Sequence, residues 1–349
     1  MRLSLDDLNV SVQRGLARVV DAVPSRAVAR VVGTSLDIDG QTLDPHLALV
    51  LELEKRLHAH DEGATPDERR AANRIAAKIA AGPPLPIDSV TDLEVDGAVS
   101  TLRARHYAPE HPSGRPLLVF FHGGGWVVGD LDTHDQVCRL LCRYSDVQVL
   151  SIDYRLAPEH PFPAAVDDAV AAYEWAVAHL DMFDAERLAV GGDSAGGNLA
   201  AVVAQHARDH GIPPPAAQLL LYPGTDSSRQ RPSKDLFAEG YFLTKKNMDW
   251  YWDAYSQGAS RTDPRLSPLC AESLEGLAPA FITTAAFDPL RDEGEEYAGA
   301  LRAAGNTVVL RLAPGLVHGY MSMTGIHRAS LDESLAVAGA FAALLDSVR

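Results

Sequence analysis

The sequence contains little of several features that identify particular classes of protein. Three cysteines in 349 residues are too few for a disulfide framework, which favours a reducing environment. No run of about 18 apolar residues is present, so no membrane-spanning helix is expected. Charges at Asp6, Asp7, Arg14 and Arg18 interrupt the apolar stretch that a signal peptide needs. A cytoplasmic protein without a membrane partner is therefore predicted.

Basic side chains are also scarce relative to acidic ones. The chain has 31 lysines and arginines against 47 aspartates and glutamates, a formal net charge of −16. Proteins that bind a phosphate backbone cluster Lys and Arg, and no dense basic run occurs here. Nucleic acid is therefore not expected as a partner.

Metal-ligand spacing is absent as well. Cys138 and Cys142 lie one helical turn apart, but two further ligands with zinc spacing do not accompany them. His206 and His210 are four residues apart on a predicted helix, yet Ala207 stands where the metalloprotease pattern requires Glu. We expect buried free thiols and surface histidines, and no metal site.

The hydrophobic pattern divides the chain into a helical first part and an alternating remainder. Apolar residues at helical spacing predict one helix near the start, a second over 46–57, and a third that Thr65 and Glu68 open as a capping box. The stretch 92–109 alternates around Asp96-Gly97 and predicts a hairpin. The first helical stripe consists of Leu5, Leu8, Val12, Leu16 and Val19.

Short apolar runs and helical patterns follow one another after the hairpin. The apolar runs are 117–121, 147–153, 187–190, 217–222, 280–286 and 307–313. Continuous runs of this kind are typical of parallel strands buried on both faces. Their alternation with helices predicts an α/β fold with a mostly parallel central sheet flanked by helices.

Residues 224–268 interrupt this alternation with a long insertion. Of the 23 aromatic residues of the chain, seven fall between Phe237 and Tyr255. An insertion of this length is rarely a plain loop. We expect it to form helices that pack with the N-terminal helices over one end of the sheet. Some of its rings are expected to line an apolar pocket, and others to pack the insertion down.

The stretch GDSAG, residues 192–196, has the G-x-S-x-G form of a nucleophile elbow. An apolar strand precedes Ser194 and a helical pattern follows it, which is the context that this turn requires. Small residues at Gly192 and Gly196 allow the tight turn. The serine hydroxyl would then stand at a helix N-terminus, where developing negative charge is stabilised.

A glycine-rich loop follows the strand at 117–121. Acyl transfer builds negative charge on a carbonyl oxygen, which needs unobstructed backbone N–H donors. Gly123, Gly124 and Gly125 supply such donors, and Ala195 supplies another from the residue after the nucleophile. The loop alone would be read as a flexible turn; together with Ser194 it predicts an oxyanion hole.

The remaining members of a catalytic triad are expected in the chain order Ser, acid, His. Asp288 comes directly after a predicted strand, whereas its competitor Asp292 lies a turn later within a predicted helix. His318 also follows a strand, with Gly319 behind it to allow a turn. The one later histidine, His327, lies near a helix start. We therefore predict Asp288 and His318 as the partners of Ser194.

Five segments together resemble the bacterial hormone-sensitive-lipase-like esterases, or family IV, in the branch whose nucleophile motif reads GDSAG. The segments are HGGGWVVGD (122–130), DYRLAPEHPFPAA (153–165), GGDSAGGNLAA (191–201), DPLRDEG (288–294) and HGY (318–320). The resemblance extends over essentially the whole chain.

This resemblance implies a single α/β-hydrolase domain over 1–349, with a helical cap formed by about 1–50 and about 224–268. It implies a carboxylesterase for short to medium acyl chains that needs no cofactor and often forms a homodimer. The family triad corresponds to Ser194, Asp288 and His318. The family oxyanion donors correspond to Ala195 and two of the three glycines Gly123, Gly124 and Gly125.

The resemblance also separates structural residues from reacting ones. The segment 153–165 carries no catalytic group in the family, so Asp153, Tyr154, Arg155 and Glu159 are interpreted as braces of the oxyanion loop. Asp193, beside the nucleophile, is interpreted in the same way.

Two other functions remain open at this stage. An amidase or peptidase would use the same triad, although the chain shows no substrate-filtering domain. A non-catalytic small-molecule-binding homologue is the second, because plant gibberellin receptors resemble this family but lack the histidine. The presence of His318 disfavours that second reading.

Overall fold

The computed structural model describes residue 15 and residues 23–32, 37–57 and 63–348. The predicted helical stripe from Leu5 to Val19 lies outside the described residues. The second and third predicted helices are present, and the third has the predicted capping box: Thr65 Oγ1 accepts the Glu68 N–H, and Glu68 accepts the Thr65 N–H.

An eight-stranded sheet forms the centre of the molecule. Its strands are β3 (Ser89–Asp96), β4 (Thr101–Ala108), β5 (Leu117–Phe121), β6 (Gln148–Ile152), β7 (Leu188–Asp193), β8 (Gln218–Leu221), β9 (Ala280–Phe287) and β10 (Val308–Val317). The spatial order is β10-β9-β8-β7-β5-β6-β4-β3. β4 runs in the opposite direction to the other seven strands of this sheet. A separate two-stranded ribbon consists of β1 (Asp37–Ile38) and β2 (Gln41–Thr42).

Helices lie on both faces of the sheet. The helices in the described part of the chain are α1 (Ser25–Val32), α2 (Pro45–Leu57), α3 (Pro66–Ala81), α4 (Asp135–Tyr144), α5 (Ala164–Ala178), α6 (Ala195–His210), α7 (Pro232–Leu236), α8 (Lys245–Ser256), α9 (Arg291–Ala303) and α10 (Arg328–Ser347). Short 3₁₀ turns occupy Leu180–Phe183, Pro268–Cys270 and Tyr320–Met323. Across the described ranges, none of the helices combines the length and apolarity needed to cross a bilayer.

Two apolar cores hold these layers together. One packs α5, α6 and α9 against one face of the sheet, and the other packs α4 and α10 against the opposite face. Every residue of β5, β8 and β9 is buried, as expected for strands covered on both sides. The predicted α/β architecture is confirmed.

The parallel strands end at the same edge of the sheet. The glycine loop follows β5, Ser194 follows β7, Asp288 follows β9 and His318 follows β10. In open α/β sheets, functional groups gather at these carboxyl ends. The insertion 224–268 contains α7 and α8, so the prediction that it forms helices is confirmed.

Candidate active site

Ser194 occupies a sharp corner between β7 and α6. Its backbone has φ 54° and ψ −116°, a conformation that non-glycine residues seldom adopt. The neighbouring glycines make the corner sterically accessible. A Cβ at Gly196 would overlap the carbonyl oxygen of Phe121, and a Cβ at Gly192 would overlap the backbone of Gly196. The strand-to-helix turn therefore needs glycine at both positions.

The three side chains predicted as a triad lie in one hydrogen-bonded chain. The distance from Ser194 Oγ to His318 Nε2 is 2.9 Å, and His318 Nδ1 lies 2.7 Å from Asp288 Oδ2. Asp288 is fully buried, and its other carboxylate oxygen accepts the N–H of Leu290 at 2.8 Å. This arrangement can transfer the serine proton to the imidazole while the carboxylate fixes the ring orientation.

The competing residues are directed elsewhere. Asp292 accepts the N–H of Ser233 at 2.8 Å and contacts Arg291, within the layer behind the site. His327 caps the start of α10 and lies 3.0 Å from Asp44. Neither side chain approaches the serine.

The glycine loop presents different N–H groups in different directions. The Gly123 N–H donates to Asp193 Oδ1 at 2.8 Å, so it is already engaged. The N–H groups of Gly124 and Gly125 are bonded to no other residue in the described part of the chain. Gly125 has φ 59°, and a Cβ there would overlap the ring of Tyr251 from α8. The loop therefore depends on glycine for both its conformation and its contact with the insertion.

A buried ion pair stands behind this loop. His134 Nε2 lies 3.2 Å from Asp193 Oδ1, and Thr133 Oγ1 lies 2.9 Å from His134 Nδ1. Burial alone would lower the pKa of His134, but the adjacent Asp193 carboxylate outweighs it and the pKa is raised. Burial opposes ionisation of Asp193 too, yet His134 and the Gly123 N–H lower its pKa. Asp193 thus braces the loop, and sequence reasoning missed its partner His134.

The pKa of His122, the first residue of the loop, is shifted in the opposite direction to that of His134. Burial lowers the pKa of His122 to about 4, and His134 adds to this shift. Its ring stacks on Tyr154 at a centroid distance of 4.3 Å, and the Tyr154 hydroxyl donates to the His122 carbonyl at 2.7 Å. His122 is therefore a neutral packing element, held by the segment that was interpreted as a brace.

The rest of that segment ties the loop to α3 and α5. Arg155 binds Asp168 through two hydrogen bonds of 2.7 and 2.9 Å. Glu159 pairs with Arg70 of α3 at 2.6 Å. Asp153 faces Arg103 at 3.6 Å. All three contacts are structural, and none of these side chains lines the cavity above Ser194.

A cavity of about 650 Å³ opens above the serine. Its walls come from the catalytic edge and from α2, α3 and α8. Phe242, Tyr251 and Trp252 of the insertion line it, whereas Phe237 and Tyr255 are fully buried in the cores. Both expected roles of the aromatic cluster are therefore present in different rings.

The histidine and cysteine pairs outside the site have structural environments. His206 and His210 stack at 3.9 Å, and His206 lies 3.4 Å from Glu174. No group of three potential metal ligands occurs within residues 23–32, 37–57 and 63–348. Cys138 and Cys142 are free and buried, as predicted.

Comparison with known proteins agrees with this geometry. Residues 118–322 match the profile of a family described as the α/β hydrolase fold. The chain belongs to the α/β-hydrolase fold family. The resemblance to hormone-sensitive-lipase-like esterases is confirmed.

Several family members resemble the chain over most of its length. It is 54% identical to carboxylic ester hydrolase LipN of Mycobacterium tuberculosis, over 83% of this chain and 80% of that protein. It is 39% identical to the ethyl acetate hydrolase of Pseudomonas putida, over 82% and 94%. Among solved structures, a Lake Arreo metagenome ester hydrolase complexed with a bipyridine phosphonate derivative is 43% identical. It superposes with a TM-score of 0.81 over 86% of this chain and 98% of its own.

Proposed function

We propose that this protein, a serine-type carboxylic ester hydrolase, cleaves its substrates through an acyl-enzyme formed on Ser194. The observation that carries the proposal is the hydrogen-bonded chain from Ser194 through His318 to the buried Asp288. His318 accepts the serine proton as Oγ attacks the acyl carbonyl carbon. Asp288 holds the imidazole and stabilises the imidazolium that forms.

The oxyanion is assigned to Gly124, Gly125 and Ala195. The Gly123 N–H is excluded because Asp193 already accepts it. Ala195 is the first residue of α6, where a helical N–H has no intrahelical acceptor. The helix dipole adds a favourable field at this point. Losing one such donor typically costs about 10²- to 10³-fold in rate.

The acyl-enzyme then forms and is hydrolysed in three proton transfers through His318. His318 gives its proton to the leaving alkoxide, which departs as the alcohol. Water enters, gives a proton to the same imidazole, and attacks the acyl carbon. The serine leaves with that proton, and the carboxylic acid is released.

The size and lining of the cavity support the proposal that the substrates carry short to medium acyl chains. Its walls combine apolar side chains from α2, α3 and α8 with the catalytic edge, which is the usual composition of a small-molecule site. We assign the cap to about 1–50 and about 224–268, and extend it to α3 because this helix lines the cavity. A cytoplasmic location rests on the three free cysteines. A homodimer rests on the family resemblance alone.

The test is hydrolysis of p-nitrophenyl esters from acetate to palmitate, with Ser194→Ala alongside. We expect activity that peaks at short to medium chains and falls by about 10⁴- to 10⁶-fold in the variant. Activity that survives the substitution would contradict the assignment of Ser194. Matched p-nitroanilides measure the amidase alternative, and binding without turnover would support a receptor role.

A further inference from the structure

Three arginines on α3 have different surroundings. Arg70 pairs with Glu159 and donates to the carbonyls of Val127 and Ala157. Arg74 pairs with Asp130 at 2.5 Å. The Arg69 side chain forms no ion pair and no hydrogen bond with any residue in the described part of the chain. In a protein with 47 acidic side chains, this unpaired cation requires an explanation.

Arg69 lies in the wall of the catalytic cavity. Its guanidinium carbon stands 4.0 Å from the ring centroid of Trp250, a cation–π contact that holds one face of the group. Its positive charge also opposes the rise that burial causes in the pKa of Tyr251, the ring that covers Gly125. Arg69 is thus on the side of the cavity where the oxyanion loop lies.

The guanidinium group of Arg69 has no hydrogen-bond partner among the residues that the structure describes. Its Nε atom is shielded from solvent, and no described residue accepts its proton. A shielded donor without an acceptor typically costs about 1–3 kcal/mol, and more when it is charged. The two terminal Nη groups are not shielded in this way, and together they can bind a carboxylate through two parallel hydrogen bonds.

Asn73 lies one helical turn beyond Arg69 and lines the same cavity. Its Oδ1 atom is likewise shielded and without a partner among the described residues. A carboxamide carries a donor and an acceptor on the same planar group, so either can be turned to a ligand. Ala72 and Ala76, which also line the cavity from α3, leave room beside it.

We propose that Arg69 and Asn73 form a subsite for a free carboxylate on the ester substrate. The preferred substrates are then half-esters of dicarboxylic acids or other esters that carry a second, ionised carboxyl group. Arg69 binds that carboxylate through its two terminal Nη groups, and the Asn73 amide donates a further hydrogen bond. The overall charge of −16 repels such anions, and Arg69 supplies the local countercharge. This inference rests on the proposed ester hydrolysis.

The test compares monoethyl succinate, glutarate and adipate with neutral ethyl esters of the same chain length. The measured quantity is the ratio of kcat/KM for each half-ester to that of its neutral counterpart. We expect a ratio above one for at least one chain length in the unmodified protein. Arg69→Met is expected to lower that ratio at least about tenfold, because a charge-assisted bidentate contact is lost. Asn73→Leu is expected to lower it by a smaller factor.

Arg74→Met is the matched control. It removes the same charge from the same helix, but Arg74 pairs with Asp130 and does not line the cavity. We expect the half-ester ratio to remain within about twofold of the unmodified protein. Arg69→Lys keeps the charge without the planar fork, so its ratio should be intermediate. It also provides a second variant should Arg69→Met fold poorly.

The outcomes separate this subsite from the proposed function. Neutral esters hydrolysed without any half-ester preference would overturn the subsite and leave ester hydrolysis intact. An equal loss of the ratio in Arg69→Met and Arg74→Met would also overturn it, since general electrostatics would then explain the preference. Failure to hydrolyse any ester would instead contradict the proposed function.

Discussion

At the scale of single residues, the position of the oxyanion loop is set by the neighbour of the nucleophile. Asp193 precedes Ser194 in sequence, and its carboxylate accepts the Gly123 N–H across the turn. The same carboxylate is balanced by His134, so the buried charge has both a hydrogen bond and a counterion. A buried charge without such partners is strongly destabilising. One side chain thus links the elbow to the loop that faces it.

This pair predicts a specific dependence of stability on pH. Because Asp193 raises the pKa of His134, the folded protein keeps a proton above about pH 6.5 that the unfolded chain has lost. The stabilisation that protonated His134 contributes to the folded state is complete below that pH. It is lost as the pH rises through the pKa of His134 in the folded protein. We expect the melting temperature to decline with a measurable slope above pH 6.5. In Asp193→Asn the contribution of His134 to that slope should vanish.

The range above about pH 7.5 separates His134 from the other shifted histidines. Burial lowers the pKa of His122 and of His106, so both are neutral in the folded protein, and about one pH unit above 6.5 they are almost entirely neutral in the unfolded chain as well. Asp92→Asn is the control, because the pKa of Asp92 is lowered by its hydrogen bond to Arg105 and the carboxylate is ionised in both states. An unchanged slope in Asp193→Asn, measured by calorimetry, would contradict the assignment.

The positions of the candidate site residues can be predicted from the sequence, whereas the contacts between them cannot. Ser194, Asp288 and His318 each follow a strand, and strand ends can be read from short apolar runs. The pairing of Asp193 with His134 joins the end of β7 to the start of α4, at positions 59 residues apart. Nothing in the local pattern around His134 distinguishes a buried partner from a surface histidine, so this contact depends on the tertiary fold.

At the scale of elements, α3 differs from every helix that packs against the sheet. None of its residues is buried, although it lines the cavity. Its position depends on the capping box at Thr65 and on the contacts of Arg70 and Arg74 with the body of the protein. Few buried apolar contacts are typical of segments that open locally. We infer that α3 is the part of the cavity wall most easily displaced.

Removing the N-cap side chain of α3 should therefore destabilise this helix without destabilising the whole protein. In Thr65→Ala we expect the free energy of opening α3 to fall by about 1 kcal/mol, because the Glu68 N–H loses its acceptor. Amide hydrogen exchange at Glu68 and Arg69 should accelerate about fivefold, with the global melting temperature almost unchanged. Mass spectrometry of the peptide that contains these residues would measure the exchange.

Thr244→Ala provides the comparison. Thr244 caps α8 through the N–H of Asn247, but α8 buries Trp252 and Tyr255. The same loss of about 1 kcal/mol should therefore lower the global melting temperature by about 1–2 °C. If Thr65→Ala lowered it equally, α3 would be part of the cooperative unit.

The limits of α3 were predictable and its orientation was not. Thr65, Pro66 and Glu68 mark its start in the sequence, and the proline-rich stretch 81–86 marks its end. Arg69 and Arg70 have the same chemistry and adjacent positions. Which of them faces the cavity is decided by distant partners such as Glu159, which no local pattern reveals.

At the scale of the whole molecule, the order of the strands decides which loops meet. The chain fills the sheet as β10-β9-β8-β7-β5-β6-β4-β3, so β5 and β7 are neighbours although α4, β6 and α5 separate them in sequence. The sequence predicted the strands but not this order, because order depends on long-range pairing. Adjacency of β5 and β7 places the glycine loop against the nucleophile turn.

The three cysteines offer a measure of how this assembly opens as a unit. Cys138 and Cys142 lie on α4 in the core between the sheet and α10, and burial raises the pKa of both thiols, that of Cys142 to about 12. Cys270 is only half-buried, although burial raises its pKa as well. Since the thiolate is the reacting species, we expect Ellman's reagent to modify at most Cys270 in the native protein. The other two thiols should react at least about 10³-fold more slowly than in guanidinium-unfolded protein.

Cys270→Ser isolates the two core thiols. This variant should show no fast-reacting thiol when native and two when unfolded, and prior treatment with dithiothreitol should change neither number. The slow rate would then report opening of the layer formed by α4, α10 and the sheet. A fast-reacting thiol in native Cys270→Ser would mean that α4 separates from the sheet without global unfolding. The loop between β5 and α4 that holds His134 and the oxyanion glycines would then be mobile too.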